Sequence, residues 1–140
     1  MNLSDLNFLA ILAASVAKFV IGGLWFSPLL FVKPWLAEMK FTEEQMTAAK
    51  AKRPAHTLVP TFFLGLVQVF ALGVLLRAMK PDCLACAVGT AAMCSVAFSG
   101  LSNAINYLFE GRSLRMWLIT AGHDAVALAI AGLILGAWPN

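Results

Sequence analysis

The chain has 140 residues, of which 61% are hydrophobic and only 12% charged, and its mean hydropathy is +0.83. Soluble proteins average about 25% charged residues, so the composition excludes a water-soluble globule. The net charge of +3 and pI near 9.0 do not point to nucleic acid, because the basic residues follow the ends of the apolar runs and form no stripe with stacking aromatics.

A membrane-crossing helix needs about 20 mostly apolar residues. Four runs meet that length: Asn7–Leu30, Thr57–Met79, Cys83–Phe109 and Leu114–Trp138. The expected fold is therefore all-α, a polytopic membrane protein built as one four-helix unit spanning residues 1–140. The first run is read as a retained helix. Met1–Asn7 carries no Lys or Arg, and the run is longer than the about 7–15 apolar residues of a signal peptide. Lys33, Lys40, Lys50, Lys52, Arg53, Arg112 and Arg115 fall in the first and third loops, against only Arg77 and Lys80 at the opposite face. The positive-inside rule then puts both termini outside the cytoplasm.

Helix 1 is rich in small residues, including Gly22 and Gly23. Trp25 and Trp35 suit the headgroup level, while Pro28 and Pro34 are expected to break or bend the chain into a short segment along the membrane surface. A short amphipathic surface helix is expected over residues 42–53. Thr42 and Gln45 have capping-box spacing, and Glu43 and Glu44 precede Lys50, Lys52 and Arg53 in the order the helix dipole favours. The Lys80-Pro81-Asp82 link makes Asp82 the expected N-cap of helix 3. Glu110-Gly111-Arg112-Ser113 supplies a glycine stop followed by a serine cap. Links this short predict that helices 2 and 3, and then 3 and 4, are antiparallel neighbours. Helix 4 carries a ridge of Ala121, Ala125, Ala129, Gly132 and Gly136. Its GxxxG step allows close helix approach, within the chain or between chains.

Two stretches carry a resemblance. One is Gly23-Leu24-Trp25-Phe26-Ser27-Pro28-Leu29-Leu30-Phe31, with Lys33 and Trp35 following. The other is Asn106-Tyr107-Leu108-Phe109-Glu110-Gly111-Arg112-Ser113-Leu114, leading to Ala121-Gly122. Together they resemble the DUF1761 family of small bacterial four-helix membrane proteins, a domain of unknown function. The resemblance spans nearly the whole chain and implies a bacterial inner-membrane location, but no activity. The family pattern implies an aromatic residue and then a histidine after the Ala-Gly step. This chain has His123-Asp124 there, which moves the histidine about 100° around the helix and puts an acid in its place.

Three constellations are candidates for chemistry. Lys18 and Asp124 both lie near mid-membrane, where an ionisable group normally faces protein and has a partner. They are expected to pair and lock helix 1 to helix 4, leaving His123 without a part in the lock. Cys83 and Cys86 form a C-x-x-C at the start of helix 3, with Cys94 further along. The pair is a candidate thiol pair, with small-residue packing favoured over a disulfide; Met79 and Met93 nearby would suit Cu(I) only as a third reading, and no metal site is assigned. Asn103, Asn106, Tyr107, Glu110, Arg112 and Arg115 gather around the third loop, where the asparagines are expected to bond across helices. Glu110 and Arg112 are expected to clamp a lipid headgroup or the Trp25–Trp35 segment. No nucleophile elbow, P-loop, zinc motif or dinucleotide fingerprint is present, so no enzyme activity is expected. The expected role is a structural or accessory subunit packed against other membrane proteins or itself, with no cofactor beyond contacts with bound lipid or pigment. The alternative is a small oligomeric transporter or channel using Lys18, His123 and Asp124.

Overall fold

The computed structural model describes residues 5–51 and 54–138. Helix α1 runs Phe8–Trp25, α2 Val32–Met39, α3 Glu43–Ala51 and α4 Pro54–Met79. A third span then joins α5 (Leu84–Cys94), a π-helical turn (Ser95–Gly100) and α6 (Leu101–Glu110), and α7 (Leu114–Ala137) closes the chain. Four segments are long and apolar enough to cross a membrane: Phe8–Trp25, His56–Met79, Leu84–Glu110 and Leu114–Ala137. The chain is thus a multi-pass helical membrane protein. Up-and-down connectivity puts the start of α1, the α4–α5 link and the end of α7 at one face, here the terminal face. Helices α2 and α3 and the α6–α7 link lie at the other, the loop face.

Local signals explain most boundaries. Asn7 caps α1 by accepting the Ala10 N–H at 2.9 Å, and Ser113 caps α7 by accepting the Met116 N–H at 3.1 Å. The capping box of α3 forms in both directions, with Thr42 N–H to Gln45 Oε1 at 3.0 Å and Gln45 N–H to Thr42 Oγ1 at 3.2 Å. The expected far end of that helix, at Lys52 and Arg53, lies outside the described residues. Gly111 ends α6 in the left-handed conformation at φ 66°, which costs glycine little because it has no Cβ.

Other boundaries correct the expectations. The first span stops at Trp25, and Pro28 lies in the turn that follows. Pro34 does not break a helix: it occupies the first turn of α2, where no intrahelical N–H bond is needed. Cys83, not Asp82, is the N-cap of α5, with its Sγ 3.0 Å from the Cys86 N–H.

Helix α7 is the hub. It packs against α1 on one side and against the third span on the other, while α4 packs mainly on α1 and touches α7 more lightly. Contact between α4 and α5 is marginal, so the short link does not make helices 2 and 3 true neighbours. Close approach decides the order instead. A Cβ at Gly132 would stand 2.6 Å from Ala91 Cβ and 3.1 Å from the Ala87 carbonyl, and one at Gly136 would stand 2.8 Å from Ala87 Cβ. The GxxxG ridge is therefore spent inside the chain, with Ala121 also near Gly100. Gly23 has no part in this packing, since nothing lies within 4 Å of its Cβ position. On the other flank, Ile11 comes within 3.5 Å of the Cβ position at Gly73 and ties α1 to α4.

The buried core, including Ile11, Ala14, Val69, Leu72, Ala91 and Leu128, gathers toward the terminal face. Toward the loop face the bundle is filled by larger rings and by open space. Gly132→Ala should destabilise the protein by about 1–3 kcal/mol through overpacking. Gly89→Ala, with nothing within 4 Å of its Cβ position, should be neutral or stabilising by up to about 1 kcal/mol. Thermal melts of the two variants in detergent check the contrast.

Candidate functional site

The ionisable residues at mid-span do not meet as the sequence suggests. Among the described residues Lys18 joins no ion pair. Its stem lies along α4, with Cδ and Nζ each 3.9 Å from the Cβ position of Gly65. Asp124 is turned instead toward the third span. Its Oδ2 accepts the Ser99 hydroxyl at 2.6 Å, and its Oδ1 lies 3.0 Å from His123 Nδ1. One residue of helix turns the side chain by about 100°, so His123 faces α1 while Asp124 faces Ser99. The expected lock between helices 1 and 4 is replaced by a hydrogen-bonded string, His123–Asp124–Ser99, that crosses the bundle at mid-span.

The string assigns the imidazole tautomer. A carboxylate only accepts, so Nδ1 carries a proton, and in a neutral imidazole Nε2 then presents a lone pair. His123 Nε2 is buried and has no hydrogen-bond partner among the described residues. It stands 3.3 Å from the Cβ position of Gly22, and the Trp25 and Phe26 rings lie 6.1 and 5.2 Å from the imidazole. From sequence His123 has no expected structural partner; in the fold the adjacent Asp124 provides one.

Ser99 belongs to the π turn. An i→i+5 turn adds a residue and shifts the helix register, and such turns often mark functional sites. Here the turn brings the Ser99 hydroxyl to Asp124 and turns the Gly100 carbonyl to accept the Trp117 indole N–H at 2.7 Å. No residue of Ser95–Gly100 announces this in sequence.

Two spaces flank the string. A cavity of about 440 Å³ lies between α1, α4 and α7, lined by Lys18, Phe19, Phe26, Thr61, Phe62 and His123 among others. Phe19 and Phe62 meet edge to face at 5.6 Å. On the other side, an open groove of about 520 Å³ separates α4 from the third span. Gln68, Ser95, Ser99, Ser102 and Asn103 line it, and Leu128 contributes from α7. Ser95 Oγ is buried there without a partner among the described residues.

The loop face joins the two sequence stretches noted above. The Trp25 indole N–H donates to the Ile119 carbonyl of α7 at 3.0 Å, and its ring lies 4.6 Å from Phe31. Trp25 thus holds α1 to α7 as well as sitting near the helix end, and Trp35 meets Phe26 at 5.7 Å. Ser27 donates to the Leu24 carbonyl at 2.7 Å and so closes the end of α1. Glu38 of α2 accepts from Ser113 and lies 3.8 Å from Arg115. Glu110 pairs with Arg112, whose guanidinium sits 5.3 Å from the Tyr107 ring centroid and reaches Met39 of α2. The expected clamp on the Trp25–Trp35 segment is thus made mainly by Glu38, with Glu110 and Arg112 paired to each other. Asn106 is exposed, and neither it nor Asn103 bonds to another helix among the described residues.

The family's sequence profile matches residues 9–136. The chain belongs to the DUF1761 family. That family is described as a protein of unknown function, and no curated protein and no solved structure matches the chain. In this DUF1761 member the matched region contains the mid-span string, the cavity, the groove and the loop-face junction, so all four lie within the family's domain.

At the terminal face, Cys83 and Cys86 are joined by a disulfide across the first turn of α5. Both are exposed, so packing, the favoured sequence reading, does not explain them. Cys94 is a free thiol. Alkylation before and after reduction should show two thiols appearing on reduction, read by intact mass.

Inside the bundle, a double-mutant cycle of Ser99→Ala with Asp124→Ala should give a coupling of about 0.6–1.7 kcal/mol, the range for interhelical hydrogen bonds in membranes. The same cycle with Lys18→Ala in place of Ser99→Ala should give less.

Proposed function

We propose that the protein is a structural subunit of a membrane assembly, and that the groove between α4 and the third span receives a transmembrane helix of a neighbouring chain. The observation that carries this reading is the polar lining of a groove within the apolar spans. Gln68 and Ser102 are exposed and Asn103 is partly so. Amides and hydroxyls that face hydrocarbon without partners are costly, and in membrane proteins they serve as contacts between helices. Asn106, exposed one turn beyond Asn103, extends the polar track toward the loop face.

The geometry supports transport less well. The His123–Asp124–Ser99 string runs across the bundle at one depth rather than along the membrane normal, so it offers no path from face to face. The positive bias of the loops favours an orientation with both termini outside the cytoplasm, in a bacterial inner membrane.

A photo-crosslinking residue at Ser102 tests the assignment in cells. Cross-links to another transmembrane chain, or to a second copy of this one, are the expected result, weakened by Gln68→Leu. Adducts with lipid alone would falsify it.

A further inference from the structure

The cavity on the other side of α7 has no place in that packing role, and it is built differently. Its volume of about 440 Å³ falls within the about 300–1,000 Å³ of small-molecule sites. Its walls are largely apolar, with Phe19, Phe26 and Phe62 prominent, and two polar atoms stand out. The Lys18 ammonium is a donor and a full charge. His123 Nε2 is a buried acceptor with no partner among the described residues.

A donor cation and a lone pair bordering one apolar space match few head groups. A carboxylic acid matches both: its carbonyl oxygen accepts from Lys18, and its O–H donates to His123 Nε2. A phosphate monoester suits the site poorly, because it brings more charge than one ammonium balances. An alcohol or ester lacks one of the two functions. We propose that this cavity binds a long-chain carboxylic acid, its carboxyl between Lys18 and His123 and its chain along Phe19, Phe26 and Phe62.

Charge balance supports the assignment. The acid enters neutral, and its O–H proton passes to His123 Nε2 as that O–H bond breaks and an N–H bond forms. The imidazolium is held at Nδ1 by Asp124, and the carboxylate accepts from both Lys18 and His123. The site then holds two cations and two carboxylates, where before it held Lys18 and Asp124, so net charge in the apolar interior is unchanged. Asp124 on α7 and Lys18 on α1 are the ionisable groups facing His123. The α4 wall contributes Leu58, Thr61, Phe62 and Gly65, and the third span contributes only the Ser99 hydroxyl, through Asp124.

The test is native mass spectrometry of the full chain in detergent with palmitic acid, methyl palmitate and phosphatidic acid at equal concentration. Wild type should take up one palmitic acid and bind methyl palmitate at least about tenfold more weakly, as expected for loss of a charge-assisted contact. Lys18→Met should lower palmitic acid binding by a similar factor. Thr61→Trp, which fills the cavity while keeping Lys18 and His123, should abolish it. Equal binding of acid and ester by wild type, or phosphatidic acid binding as tightly as palmitic acid, overturns the proposal without need of any variant. Retention of full binding by a folded Lys18→Met protein overturns it as well. None of these outcomes depends on the groove or its partner.

Discussion

A carboxylate halfway through a bilayer has no water to satisfy it, and the arrangement around Asp124 follows from that constraint. Its two oxygens take the Ser99 hydroxyl and the His123 Nδ1–H. Each partner brings its own condition. Ser99 reaches it from a π turn that interrupts an otherwise regular span. His123 must use one ring nitrogen for the acid, which commits the other to face α1. Lys18, the remaining mid-span charge, is thereby free to lie along α4 and border the cavity. A single acid one position after a histidine thus sets the tautomer, the register of the third span and the polar wall of the internal space.

The helix order has an equally local cause. Glycines at 132 and 136 let α7 touch Ala87 and Ala91 almost backbone to backbone, and Gly73 lets α4 receive Ile11. These contacts are van der Waals packing, the force that remains when lipid removes the hydrophobic drive between helices. They draw α4 against α1 and the third span against α7. The Lys80–Cys83 link is short enough to hold the two spans together at the terminal face, but further along they part, and the polar groove is the result.

Much of this was legible in the sequence, and the reasons differ by feature. The four spans follow from the length of the apolar runs, and the capping box at Thr42 and Gln45, the stop at Gly111 and the cap at Ser113 follow from local chemistry at fixed spacing. Lys18 and Asp124 stood out because charge is rare at that depth, but their partners were not legible. Depth alone matched them, whereas direction around the helix separates them. The π turn was invisible because Ser-Val-Ala-Phe-Ser-Gly suits an α-helix equally well, and only the demand of Asp124 and of the Trp117 indole distinguishes it. Link length misled over helices 2 and 3, since it limits the distance between two helix ends and says nothing about their far halves.

The string also has two ends. His123 borders the cavity, and Ser99 borders the groove, with one carboxylate between them. Whatever engages Nε2 alters the charge and basicity seen at Asp124, and so the strength with which Ser99 is held. Whatever competes for the Ser99 hydroxyl acts back on the imidazole by the same free energy, since linkage between two sites is reciprocal. Three adjoining side chains are thus a thermodynamic coupling element, through which the two sides of α7 sense one another over a few ångströms without any helix having to move.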